Sequence, residues 1–84
     1  VSEDITMTLP NGWLAEIEVL FQFSGDSIRE GIKIHHDAKP ELIAAAKRLH
    51  EKGLVTQDDG GYLTSLGIDA VEHVHALGLI LTEQ

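Results

Sequence analysis

The chain contains no cysteine, two prolines, and only one tryptophan, one tyrosine and two phenylalanines. Without cysteine, a disulfide framework, a thiolate zinc site and a cysteine nucleophile are all excluded. Such a chain needs no oxidising compartment, so we expect it in the cytoplasm. Long apolar runs are also missing, since those at 43–46 and 77–81 are far shorter than the ~20 residues of a membrane-spanning helix. The N-terminal residues lack the basic and apolar regions of a signal peptide.

The length of the chain limits it to one domain. Its 84 residues, 43% of them hydrophobic, can form one small hydrophobic core. We therefore predict a single domain over residues 1–84. Residues 1–7 are expected to be flexible or foreign to the natural chain, with Met7 as an alternative start. So short a chain has little room for a concave active site, and no nucleophile elbow, phosphate loop or calcium loop is present, so we expect neither catalysis nor a cofactor.

Basic residues are scarce and unevenly placed. The chain has 14 acidic and 6 basic residues, a formal charge of −8, which taken alone argues against nucleic-acid binding. All six basic residues, however, lie between 29 and 52 beside four acids, so this segment carries +2 while each flank carries −5. We interpret the segment as a small basic surface able to contact phosphates. The alternative is a solvated face whose lysines and arginines pair with nearby glutamates.

The first third of the chain predicts one clear helix and one ambiguous element. Apolar residues at helical spacing predict a helix over 11–23, on which the aromatic residues are expected in the core: Trp13, Phe21 and Phe23. A capping box at Ser27 and Glu30 favours a short second helix over 27–33. Residues 32–34 also alternate as a strand would, which leaves the end of that helix open.

The remaining elements are more sharply bounded. Alanines, leucines and long charged residues predict a helix over 41–52, with an apolar stripe facing the core: Leu42, Ala45, Ala46 and Leu49. Two short strands, 54–57 and 62–64, flank a turn whose Asp59-Gly60 pair is typical of a β-hairpin. A last helix is expected to begin at Thr64 or Ser65. The fold class is therefore mainly α with a small β-hairpin.

This order of elements, together with two motifs, resembles a winged helix-turn-helix domain. Residues 38–55, which end in Lys-Gly-Leu-Val, are similar to the recognition helix of MarR-like proteins, and residues 61–67, with Leu-Thr-x-x-Gly, are similar to the far strand of their wing. The whole chain also resembles a small uncharacterised proteobacterial family of about this length. The first resemblance implies a winged helix-turn-helix-like fold, DNA binding and a role in transcription regulation.

If the chain binds double-stranded DNA, the basic segment would supply the contacts. We predict phosphate contacts from Lys39, Lys47 and Arg48, with Lys33 and Lys52 at the margins. The sequence departs from the DNA-binding pattern at two places: the outward positions of helix 41–52 hold few base-reading side chains, and Asp58-Asp59 stands at the wing tip, where carboxylates repel phosphate. The alternative is a protein-interaction or dimerisation module that has kept the fold and lost DNA binding.

The C-terminal helix and the histidines complete the candidates. Residues 77–81 are apolar on every side of their helix, which predicts a homodimer interface formed by Leu77, Leu79, Ile80 and Leu81. The pair His35 and His36 and the pair His73 and His75 do not have the spacing of metal ligands, so we assign no metal site to them. A site formed by a tertiary contact between the two pairs is left open.

Overall fold

The structure, a computed structural model, describes residues 12–24 and 27–82. These residues form four helices and three short strands. In chain order they are α1 (Trp13–Phe21), α2 (Ser27–Glu30), β1 (Ile32–Lys33), α3 (Pro40–Glu51), β2 (Val55–Gln57), β3 (Gly60–Leu63) and α4 (Ser65–Thr82). The protein is thus mainly helical with a small antiparallel sheet. Our expectation for residues 1–7 lies outside the described residues.

The predicted hairpin is confirmed and extended by a third strand. The sheet order is β1-β3-β2, with both pairings antiparallel. The helix expected over 27–33 instead ends at Glu30, so that prediction is wrong at its C-terminal end. The reason is Gly31, which has φ +85° and whose Cβ, if present, would lie 2.6 Å from the carbonyl oxygen of Gly61. Two glycine backbones therefore approach closely enough for β1 to join the sheet.

The helix α3 forms the centre of the core. Its buried residues are Ala45, Ala46 and Leu49, which confirms the predicted stripe apart from the half-buried Leu42. The two alanines allow α1 to pack closely against α3. Around this contact lie the other fully buried apolar side chains: Val19, Phe23, Val55 and Val71.

The buried face of α1 differs from the expectation. Trp13 is 46% exposed and Phe21 43% exposed, so the prediction that both lie in the core is wrong, whereas Phe23 is fully buried. The face that packs against α3 instead contains Glu16, Val19 and Leu20. Relative to the expectation, α1 is rotated about its axis because Glu16 contacts two cations, Arg48 of α3 and Lys52 just after α3. Both lie far from Glu16 in the chain.

The start of α4 is fixed firmly to the loop that follows α3. The Thr64 hydroxyl donates a hydrogen bond of 2.6 Å to the carbonyl oxygen of Gly53 and accepts one of 3.0 Å from the amide of Gly67. A Cβ at Gly67 would collide with the carbonyl oxygen of Leu54. The cap predicted at Thr64 is therefore confirmed, and it also joins the helix to residues before the hairpin.

The two halves of α4 have different surroundings. The first half packs on the domain through Gly67 and Val71, its only buried residues. Beyond His75 no residue of the helix is buried, and its large apolar side chains are exposed. Across the part of the chain that the structure describes, no helix has the length and apolar character needed to cross a membrane.

Candidate functional site

The five predicted DNA contacts fall into two groups with different partners. Arg48 and Lys52 lie on the side of α3 that faces α1. Their partner is Glu16: the Nε of Arg48 is 2.7 Å from one carboxylate oxygen and the Nζ of Lys52 is 2.6 Å from the other. Arg48 also donates a 3.2 Å hydrogen bond to the carbonyl oxygen of Gly12. These two cations are therefore engaged within the chain.

Glu16 is the acid that organises this cluster. Its side chain is only 9% exposed, and both of its oxygens accept charge-assisted hydrogen bonds. Burial alone raises the pKa of the Glu16 carboxyl, but the hydrogen bonds and positive charges of Lys52 and Arg48 outweigh burial and lower that pKa below its ordinary value. Glu16 thus stays ionised at neutral pH and joins α1 to α3.

Gly12 makes room for Arg48 beside this cluster. It has φ +91°, and a Cβ at this position would lie 2.6 Å from a terminal guanidinium nitrogen of Arg48. A side chain here would be strained by the backbone angle and would displace Arg48 from its hydrogen bond to the Gly12 carbonyl. The glycine is therefore part of the ion-pair cluster.

The second group, Lys33, Lys39 and Lys47, is exposed and makes no ion pair with any described residue. Lys33 and Lys47 border an open groove of about 330 Å³ between α3 and the hairpin turn. Its floor is apolar, formed by Ile34, Ile43 and Ala46. Asp58 and Asp59 of the hairpin turn also line it, next to Lys33, whose strand partner is Gly60, so the two lysines of the groove are matched by two carboxylates. Its other polar lining residues are His35 and His36.

The four candidate histidines lie in two separate places. His35 and His36 line the groove, whereas His73 and His75 lie on α4. The ring Nδ1 of His73 donates to the carbonyl oxygen of Asp69 and the ring Nε2 of His75 donates to that of Phe23, each at 2.7 Å. Within residues 12–24 and 27–82, no three histidine or acidic side chains come together as a metal site would require.

The predicted dimer residues are all exposed large apolar side chains. Leu77, Leu79, Ile80 and Leu81 are 53%, 71%, 67% and 67% exposed. The nearest support from the domain is Phe21, whose ring packs over Gly78 and meets the ring of His75 edge-on at 5.3 Å. Leu79 and Thr82 border a shallow groove beside this ring, but Leu79, Ile80 and Leu81 stay about two-thirds exposed.

Sequence reasoning did not find the role of Glu16. In the sequence it stands among apolar residues of the first helix and was assigned no function. Its partners lie 32 and 36 positions away, so no local spacing connects them. The sequence signal that points to Glu16 is its spacing from two apolar residues. It lies three residues before Val19 and four before Leu20, which places all three on one face of a helix.

These observations define a small, mainly helical domain with an internal ion-pair cluster, a groove of mixed charge and an exposed apolar helix end. The model of the family of unknown function DUF5669 matches residues 7–82. The chain belongs to this family. Comparison with curated proteins and with solved structures gives no match.

Proposed function

We propose that this chain is a non-catalytic interaction module that forms a homodimer through α4. The observation that carries the proposal is the exposure of Leu77, Leu79, Ile80 and Leu81, each of which is more than half accessible. Small domains rarely leave a contiguous apolar surface of this kind open to water unless another chain covers it. A symmetric pair is the commonest way for a soluble chain to cover such a surface.

The surface predicted to bind DNA gives less support to a nucleic-acid function. Arg48 and Lys52 already share the Glu16 carboxylate. Lys33 and Lys47 line a groove that Asp58 and Asp59 also line. A phosphate approaching this groove would meet as many negative as positive side chains, and its attraction would be small.

Analytical ultracentrifugation tests the dimer directly. The sedimentation mass should rise towards twice 9.2 kDa as the protein concentration is increased to about 100 µM, where a micromolar association is nearly complete. A mass that stays at one chain throughout this range contradicts the proposal.

DNA binding by a winged-helix-like fold is the second candidate, and one observation favours it. Lys33, Lys39 and Lys47 are exposed around the start and outer side of α3 without an ion-pair partner among the described residues. The order α1-α2-β1-α3-β2-β3-α4 supports a winged-helix-like domain, with α3 as its recognition helix. It departs from a helix-turn-helix in having one described helix between β1 and β2. A role in transcription regulation and a cytoplasmic location belong to this candidate and stay predictions.

A salt titration with a fluorescent DNA duplex separates the two candidates. If three lysines contact phosphates, the logarithm of the affinity should fall with the logarithm of the salt concentration with a slope of about −2.7. Absence of binding at about 50 mM salt with protein at about 100 µM rejects the DNA candidate. The dimer proposal does not depend on this result.

A further inference from the structure

The outer side of α4 carries a stripe with coiled-coil spacing. Its members follow each other at intervals of four, three, four and three residues: Leu66, Ala70, His73, Leu77 and Ile80. Alternation of three and four keeps a helix face in contact with a second helix along its whole length. We propose that the α4 of a second copy packs antiparallel along this outer stripe. The inference rests on the proposed homodimer and specifies its contact surface and orientation.

The stripe is accessible over most of its length. Leu66 and Ile80 at its two ends are exposed, and so are His73 and Leu77, while Ala70 is half-buried at the border of the core. The buried positions of the same helix, Gly67 and Val71, follow the stripe by one residue and face the domain. The helix therefore has one side for its own domain and a different side for a partner.

The stripe fits a second copy of itself. About a two-fold axis at His73, an antiparallel pairing sets Leu66 against Ile80 of the other chain and brings Ala70 within one residue, about 1.5 Å along the helix, of Leu77 of the other chain. A small side chain then faces a large one beside the axis, which lets the helices interdigitate. Because the contact is two-fold symmetric, each of these pairs occurs twice.

The charges of α4 select the antiparallel orientation. Asp69 lies in its first half, four residues before the axis, and residues 76–82 contain no charged side chain. A parallel pair would bring the two copies of Asp69 together, whereas an antiparallel pair places each beside the uncharged half of the partner. Glu72 is one residue from the axis, so it does not distinguish the two orientations. Opposed helix dipoles favour the same orientation.

His73 is the single polar member of the stripe and would lie at the axis. Its Nδ1 donates to the carbonyl oxygen of Asp69, one turn earlier, so the ring is held against its own helix. This leaves Nε2 as the ring nitrogen available at the contact. A polar residue at one such position fixes the register of paired helices and lowers their affinity. His73→Leu should therefore tighten the dimer.

Two glutamate substitutions of exposed apolar side chains test the stripe. Ile80 lies on the stripe and is 67% exposed, whereas Leu14 lies on α1, outside the stripe and the predicted dimer residues, and is 68% exposed. Ile80→Glu should raise the dimer dissociation constant by at least about 30-fold, because its contact with Leu66 of the other chain occurs twice in the dimer. Leu14→Glu is the matched control and should change it by less than about 3-fold. Equal weakening by both variants, or greater weakening by Leu14→Glu, overturns the stripe as the contact surface. A wild-type monomer instead rejects the dimer proposal itself.

The absence of cysteine allows a clean test of orientation by single-cysteine crosslinking. His73→Cys should form a disulfide-linked dimer on mild oxidation, because both copies of residue 73 meet at the axis. Leu66→Cys alone should not crosslink, since two antiparallel copies of residue 66 lie about 21 Å apart. A mixture of Leu66→Cys and Ile80→Cys chains should give the mixed dimer. Efficient crosslinking of Leu66→Cys to itself contradicts the antiparallel pairing.

Discussion

The cluster at Glu16 and the end of α4 both depart from the usual arrangement, in which charged side chains are exposed and large apolar side chains are buried. At Glu16 a carboxylate is buried, and at Leu77–Leu81 four large apolar side chains are exposed. The carboxylate has all its partners within the chain, Arg48 and Lys52. Among the described residues, the Phe21 ring is the contact that the domain makes with the apolar end of α4 at Gly78. A buried charge with partners inside the chain maintains the fold, whereas the exposed apolar surface is the feature from which we propose a contact with another molecule.

The largest expected effect is a difference in folding stability between two leucine-to-alanine substitutions, one in the core and one at the exposed end of α4. Leu49 is buried at the centre of the core, whereas Leu79 is exposed. Leu49→Ala should reduce the free energy of unfolding by about 2–4 kcal/mol because it leaves a cavity. Leu79→Ala should change it by less than about 0.5 kcal/mol in dilute protein. Urea denaturation followed by circular dichroism measures both. A cost above about 1 kcal/mol for Leu79→Ala would show that its surface is covered within one chain.

A smaller effect is expected from removing the buried acid. Glu16→Ala would leave Arg48 and Lys52 facing each other without a carboxylate, and we expect the free energy of unfolding to fall by about 1–3 kcal/mol. The control is Glu18→Ala on the exposed side of the same helix, expected within about 0.5 kcal/mol of wild type. Equal thermal midpoints for the two variants would contradict the structural role of Glu16.

The lowered pKa of Glu16 predicts how this stabilisation depends on pH. Because the folded protein binds this proton less tightly than the unfolded chain, the stabilisation is complete above the unfolded-chain pKa of about 4.3. It is lost as the pH falls through the folded-state value. The difference in unfolding free energy between wild type and Glu16→Gln should therefore be constant between about pH 5 and 7 and shrink towards about pH 3. Denaturation at these three pH values measures it, and a difference that grows in acid contradicts the sign.

The smallest effect concerns the two groups of lysines and applies if DNA binds. Lys47→Ala should reduce the salt slope of DNA affinity by about 0.9, the loss of one phosphate contact. Lys52→Ala should reduce it less, because the Nζ of Lys52 is held 2.6 Å from Glu16. Fluorescence anisotropy with one duplex suffices. A larger reduction of the salt slope for Lys52→Ala than for Lys47→Ala would show that Lys52, and not Lys47, contacts phosphate.

The parts of the fold that local chemistry decides could be predicted from the sequence. Helix α3 begins at a proline and contains three consecutive alanines, and its observed bounds differ from the prediction by one residue at each end. The hairpin follows from Asp59-Gly60 in the same way. The sequence leaves residues 32–34 open between helix and strand, because strand β1 depends on the approach of Gly31 to Gly61, thirty positions away. The rotation of α1 depends likewise on Arg48 and Lys52, which meet Glu16 only once the chain has folded.

The candidate site was harder to predict for the same reason. The sequence places Arg48 and Lys52 in a basic segment, but only folding assigns them to Glu16 and leaves Lys33, Lys39 and Lys47 without an ion-pair partner among the described residues. The exposure of the α4 end was easier, because residues 77–81 are apolar in every direction and no single domain surface can cover all of them.

The Thr64 hydroxyl has a geometric consequence for a paired molecule. By linking the Gly53 carbonyl to the Gly67 amide, it makes the end of α3 and the start of α4 move as one rigid piece. Two copies joined along α4 would then hold their α3 helices at one fixed distance from each other. This distance would set the spacing between two equivalent binding surfaces on the dimer, so a partner with two sites at that spacing would contact both copies.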